Sequence, residues 1–139
     1  MKQYWIWVYL VLGVLITHAS LADSAAQDRR QNQALPYSVH DFVAAANQSA
    51  PMRLDDITRF EQVKALHSTL FFRYTILGSR ADEIDSAIFI QELSAPLRRK
   101  ACQQTATRKL LDSAYPLVYG YNDRQGRAIA SIKIELKDC

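Results

Sequence analysis

Apolar residues fall along this chain in three rhythms: one unbroken run, stretches of period two, and stretches of period 3.6. The run comes first. Residues 4–16 hold Trp5, Ile6, Trp7, Val8, Leu10, Val11, Leu12, Val14 and Leu15, with Lys2 ahead of them and the small residues Ser20 and Ala22 behind. Charge, apolar run and small-x-small site in that order predict a secretory signal peptide, residues 1–22, cut before Asp23. The run is about 13 residues long, short of the roughly 20 that span a bilayer as a helix. An uncleaved anchor is the other reading of the same segment. No cysteine follows the cut, so a lipid-modified N-terminus is not supported. Residues 23–36 are rich in Ala, Gln, Asn and Asp without apolar periodicity, which predicts a flexible leader into a single domain over residues 37–139.

Within that domain the rhythm alternates. Val39, Phe42, Val43 and Ala46 recur at helical spacing after Ser38, a good N-cap, and Pro51 bounds the helix. Residues 57–77 predict a strand pair turning at His67-Ser68. In its second member Leu70, Phe72, Tyr74 and Ile76 share one side, and Thr69, Phe71, Arg73 and Thr75 the other. Ser79 with Asp82 predicts a capping box, followed by a helical stripe of Ile84, Ile88, Phe89, Leu93, Leu97 and Ala101. Pro96 predicts a kink or a restart capped by Ser94, and a further helical piece covers 107–114. Leu117, Tyr119 and Tyr121 then alternate up to a turn at residues 122–126. In the last strand Ala128, Ala130, Ile132, Ile134 and Leu136 oppose Ser131, Lys133, Glu135 and Lys137. Helix, two strands, helices and two strands predict an α+β domain: a four-stranded antiparallel sheet built from two hairpins, with helices packed on one face.

Charge and cysteine count refine this picture. Seventeen basic residues less Lys2 leave 16 against 14 acidic, a formal +2, which gives no electrostatic case for nucleic acid. The two cysteines, Cys102 and Cys139, both follow the cut. In an oxidising compartment they suggest one intramolecular disulfide between helix and sheet; free thiols or a cross-chain bridge through Cys139 are the alternatives.

The stretch from Arg98 to Cys139 contains Cys102, Arg108-Lys109-Leu110-Leu111, Tyr119-Gly120-Tyr121-Asn122-Asp123, Gly126 and Asp138-Cys139. It resembles a group of small exported bacterial, periplasmic proteins of unassigned function. These end in a Tyr-x-Tyr-x-Asp-x-x-Gly strand-turn and a terminal Asp-Cys. The resemblance covers about the last third of the chain and implies fold, disulfide and compartment, not an activity.

Candidate chemistry is sparse. His40 and His67 are isolated, so no metal site and no cofactor are expected. There is no Gly-x-Ser-x-Gly elbow, no cysteine with a histidine partner and no glycine-rich phosphate loop. Asp82, Glu83 and Asp85 fit helix-start electrostatics, and Asp55-Asp56 a turn. Arg98, Arg99, Lys100, Arg108 and Lys109 fit a solvated face or a surface for an anionic partner. Phe71 and Arg73 lie opposite the apolar side of their strand. Either a helix or the N-terminal segment covers them, or they form a partner-binding patch together with Lys133.

The expected function is that of a periplasmic or secreted binding or accessory module acting through protein–protein contacts, without catalysis. Its partner would be a protein of the cell envelope or outside the cell, with no nucleic acid and, if the signal is cleaved, no membrane. Two alternatives are a small periplasmic hydrolase assembled from scattered residues such as His67, Asp55 and Asp82, and a membrane-tethered envelope component.

Overall fold

Ser38 opens the part of the chain that the computed structural model describes, residues 38–139, which form one compact unit. The expectations for residues 1–22 and 23–36 lie outside these described residues. The Ser38 hydroxyl accepts the Asp41 amide at 3.1 Å and donates to the Asp41 carboxylate at 2.6 Å. An otherwise orphaned amide is thereby satisfied, and a negative charge sits at the positive end of α1 (Val39–Asn47). Asn47, at the other end of α1, bonds a strand. Its amide donates to the Val63 carbonyl at 2.9 Å, and its carbonyl accepts the Val63 amide at 2.8 Å. The short β1 (Met52–Arg53) pairs with only Arg59 and Phe60 of β2 (Thr58–Leu66). Asn47 therefore does for the uncovered edge of β2 what a neighbouring strand would do.

β2 turns into β3 (Thr69–Ile76) through His67 and Ser68, whose φ values of 47° and 59° are both left-handed, as a two-residue hairpin turn demands. The sheet departs from the expected four antiparallel strands. It has five, in the order β1-β2-β3-β4-β5, and the central pair, β3 with β4 (Leu117–Asp123), is parallel. The reason is the length of the connection. The chain leaves β3 at Ile76, and β4 begins with Leu117 beside Leu70, back where β3 began. A helical crossover delivers its second strand in the same sense as its first, whereas a tight turn reverses it.

That crossover holds α2 (Ser86–Gln103) and α3 (Thr105–Asp112). The helix does not start at the expected Ser79–Asp82 box. Instead the Arg80 amide donates to the Glu83 carboxylate at 2.9 Å around a 3₁₀ turn at Ala81–Glu83. The N-cap of α2 is Asp85, which accepts the Ala87 and Ile88 amides at 2.9 and 3.1 Å. Ser94 does not restart the helix after Pro96. α2 is continuous, and the Ser94 hydroxyl donates back to the Ile90 carbonyl at 2.5 Å. Pro96 and Glu92, whose carbonyl loses its amide partner there, are both exposed, so solvent can serve that carbonyl.

β5 (Ala128–Ile134) shows two further departures. Tyr121 pairs with Ala130 and Asn122 with Ala128, so Ile129 is an extra residue at a bulge, and it is buried although the alternation places it outward. The strand also stops at Ile134, so Leu136 is 43% exposed and not part of the inward row. The Glu135 amide donates to the Asp138 carboxylate at 2.8 Å, turning the chain through Leu136–Asp138 toward α2. There Cys139 is bonded to Cys102, with Cα atoms 5.6 Å apart.

The described helices share one side of the sheet, joined by a row of rings. Phe42 of α1 meets Phe72 edge-on at 6.0 Å, Phe72 stacks on Tyr119 at 4.9 Å, Tyr74 stacks on Tyr121 at 5.1 Å, and Tyr121 meets Phe89 of α2 edge-on at 5.1 Å. Such pairs contribute about 0.5–1.5 kcal/mol each beyond the area they bury. No described helix is long and apolar enough to cross a membrane.

Candidate functional site

The side of the sheet away from the helices carries the residues that the alternation turned outward, and the strand register arranges them in rows. Lys64, Phe71, Val118 and Lys133 stand side by side across β2, β3, β4 and β5. Gln62, Arg73, Gly120 and Ser131 form the next row. Phe71 is 40% exposed, and Lys64, Arg73 and Lys133 are exposed. Thus Phe71 and Lys133 share a row and Arg73 lies in the adjoining one. Lys64 and Val118 belong to the same patch and were not foreseen, because cross-strand neighbours appear only once the register is known.

The patch is electropositive because its carboxylates are already engaged. Glu61 pairs with Arg59 at 2.7 Å. Partial burial pushes its carboxyl up, but hydrogen bonds from Thr75 and Arg59 outweigh this and hold it below the usual glutamate range. Glu135 bonds Lys133 and Lys137, each at 2.8 Å, and these bonds bring its carboxyl down to about 2. Lys64 and Arg73 form no ion pair among the described residues. An aromatic ring and an aliphatic neighbour ringed by cations suit a contact with an acidic, partly apolar surface.

On the helix side, Leu54, Ile57, Tyr74, Phe89, Leu93 and Tyr121 line an apolar groove of about 340 Å³ between α2 and the loop after β1. Leu54 and Ile57 at its lip are 47% and 56% exposed. Its only trace in the sequence is the apolar spacing Met52, Leu54, Ile57 ahead of β2.

The residues of the hydrolase alternative are not brought together. His67 sits in the β2–β3 turn, whereas Asp55 and Asp82 lie at the other end of the sheet, a strand length of roughly 25–30 Å away. Asp55 accepts the Ile57 and Thr58 amides at 2.9 and 2.7 Å, and the first of these bonds leads in lowering its carboxyl. Asp82 pairs with Arg80 at 3.0 Å and Arg127 at 3.5 Å. Among the described residues no three His, Cys, Asp or Glu side chains are grouped so as to hold a metal ion.

The Tyr-x-Tyr-x-Asp-x-x-Gly segment has a structural use throughout. Tyr119 and Tyr121 belong to the ring row. Asp123 is 1% exposed and accepts the Ala81, Gln125 and Arg127 amides, each at 2.9 Å, as well as the Arg127 guanidinium. The Ala81 amide is the main reason its carboxyl falls to about 2. Gly126 turns the hairpin at φ +79°, where a side chain would be strained.

No protein-family model and no curated protein matches the chain. Solved structures do resemble it. A Pseudomonas aeruginosa protein thought to be secreted has a TM-score of 0.64 at 15% identity, over 72% of this chain and 88% of that one. EpsS, a pilotin of the Vibrio vulnificus type II secretion system, gives 0.58 at 13% identity over 71% and 86%. AspS, the type II secretion pilotin of Vibrio cholerae, gives 0.55 at 13% identity over 83% and 99%. At these identities the likeness establishes a shared fold. The class that emerges is an α+β fold shared with a protein thought to be secreted and with two type II secretion pilotins.

Proposed function

We infer that this chain is an exported accessory module of the cell envelope, periplasmic or secreted, working by protein contact through the open side of its sheet and carrying out no catalysis. The observation behind this reading is the half-exposed Phe71 beside Val118, flanked by Lys64 and Arg73, which form no ion pair among the described residues, and by Lys133, which shares Glu135 with Lys137. Charge complementarity selects the occupant: an acidic protein segment presenting at least one apolar side chain. The likeness to pilotins of type II secretion systems supports an accessory role beside such machinery. The reading takes the mature chain to begin at Asp23, which the intact mass of the exported protein checks.

Crosslinking in the native envelope, with the joined peptides identified by mass spectrometry, tests the contact. The expected result is a partner joined near Lys64 or Lys133 through an acidic segment. Phe71→Ala with Arg73→Ala should weaken its binding by about tenfold or more, as loss of an aromatic and an arginine anchor does. Crosslinks confined to the groove side, or a folded double variant that binds as the wild type does, would refute the assignment.

A further inference from the structure

A second charged feature lies away from the open side of the sheet, where the end of α2, the start of α3 and the C-terminal turn meet. Ala95, Arg98, Arg99, Cys102 and Gln103 follow one another at three- and four-residue spacing and so form one continuous face of α2. With Arg108 of α3 they line a polar recess of about 370 Å³. Asp138 and Cys139 close its remaining side, and the Cys102–Cys139 bond joins two of its walls.

The arginines are not occupied by the fold. Arg108 donates through Nε to Asp112 at 2.9 Å, which leaves its terminal nitrogens. The side chains of Arg98 and Arg99 have no hydrogen bond or ion pair among the described residues. They do not serve the end of α2 either: the Thr107 hydroxyl donates to the Ala101 carbonyl at 2.7 Å, and the Gln104 amide to the Lys100 carbonyl at 3.0 Å. The one side-chain carboxylate in the lining, Asp138, is held by the Glu135 amide. Three arginines with free donors lining a recess whose walls are covalently linked suit a tetrahedral oxyanion. The planar guanidinium fork bonds phosphate oxygens in pairs, and an ammonium does not.

We propose that this recess is a phosphate-binding site, held by Arg98, Arg99 and Arg108, for a phosphate group carried on a lipid headgroup or free in solution. The test uses the full exported chain with its disulfide intact. Inorganic phosphate is titrated while the arginine side-chain resonances are followed by NMR, and sedimentation is measured with phosphatidylglycerol and with phosphatidylcholine vesicles. Saturable shifts at the three arginines are expected, with affinity falling about tenfold for each of Arg98→Gln and Arg99→Gln. Lys109→Gln and Arg124→Gln, made singly, each remove the same charge outside the recess and should each change affinity less than about twofold. Pelleting with phosphatidylglycerol alone, competed by phosphate, identifies the lipid source. Saturable shifts without pelleting identify free phosphate. Absence of saturable shifts, or equal losses in the control variants, overturns the proposal.

Discussion

Phe71 and Phe72 are consecutive in β3 and face opposite sides of the sheet, so truncating each in turn measures whether the outer side is free. Phe72 is 8% exposed, stacked on Tyr119 at 4.9 Å and met edge-on by Phe42 at 6.0 Å. Phe72→Ala should cost about 3–5 kcal/mol, because the lost transfer energy is joined by a cavity that the surrounding rings cannot close. Phe71 is 40% exposed, and its neighbours in the row across the sheet are Lys64 and Val118. A phenylalanine buries roughly 200 Å² when covered. Taking the hidden fraction of Phe71, less what alanine would keep, at about 25 cal/mol per Å² gives roughly 1–2 kcal/mol, with no cavity term. Urea unfolding of both variants by circular dichroism, at a constant denaturant slope, separates these values. Losses that are equal, or a Phe71→Ala loss above about 3 kcal/mol, would show that Phe71 is core and that the open side is covered.

Other consequences can be measured in the same way. Cys102 and Cys139 are separated by 37 residues, so replacing both with Ser should cost about 4 kcal/mol by loop entropy, and non-reducing peptide mapping should find one intrachain pair. Asn47→Ala leaves the Val63 amide and carbonyl without their partner and should cost about 1–3 kcal/mol, with faster hydrogen exchange at Val63. Asp123 and Glu135 have carboxyls lowered from 3.8 and 4.5 to about 2 in the folded chain. Their stabilisation is therefore present above about pH 4.5 and lost as pH falls toward about 2; melting temperature against pH should show that limb, and Asp123→Asn should flatten it. Burial pushes the Tyr74 phenol from 10.0 up to about 12, so stability holds below pH 10 and falls as pH rises toward 12, together with the appearance of phenolate absorbance.

What the sequence revealed was local, and what it concealed depended on distance. Leu70, Phe72 and Ile76 alternate without interruption, and they are buried where the alternation puts them. His67-Ser68 marked the turn by position although it lacks the favoured Asn-Gly chemistry, and both residues are in the left-handed region. The parallel pairing of β3 with β4 was hidden, because it depends on where residues 81–112 return the chain and not on any pattern within either strand. The bulge at Ile129 was hidden for a related reason: only the partner strand shows that one residue too many is present. The Ser79–Asp82 box and the Asp85 cap are equally plausible by composition, and the Asp123 carboxylate, reaching the Ala81 amide across 42 residues, helps shape the turn between them. Phe71, Arg73 and Lys133 could be placed on outward sides from alternation alone. That Lys64, Val118 and Gly120 stand among them is a fact of register.

Gly120 offers the sharpest separation of folding from binding. In the Tyr-x-Tyr-x-Asp segment Tyr119, Tyr121 and Asp123 point to the helix side, so the intervening Val118, Gly120 and Asn122 point to the open side. Folding does not require glycine there. Its φ is not left-handed, and an added Cβ would meet only the Phe72 carbonyl at 3.7 Å, an ordinary contact. Glycine within a strand costs about 0.5–1 kcal/mol relative to alanine, so Gly120→Ala should leave stability unchanged or raise it by about that much. Gly120→Tyr places an aromatic ring between Arg73 and Ser131, in the row beside Phe71. It should retain the melting transition, because strands accommodate tyrosine well. Its bulk, however, would stand where a partner must approach, and binding should weaken by about tenfold or more. A Gly120→Tyr protein that folds and binds its partner as the wild type does would place the contact elsewhere. A Gly120→Ala protein that is clearly destabilised would mean that something packs on this side of the sheet after all.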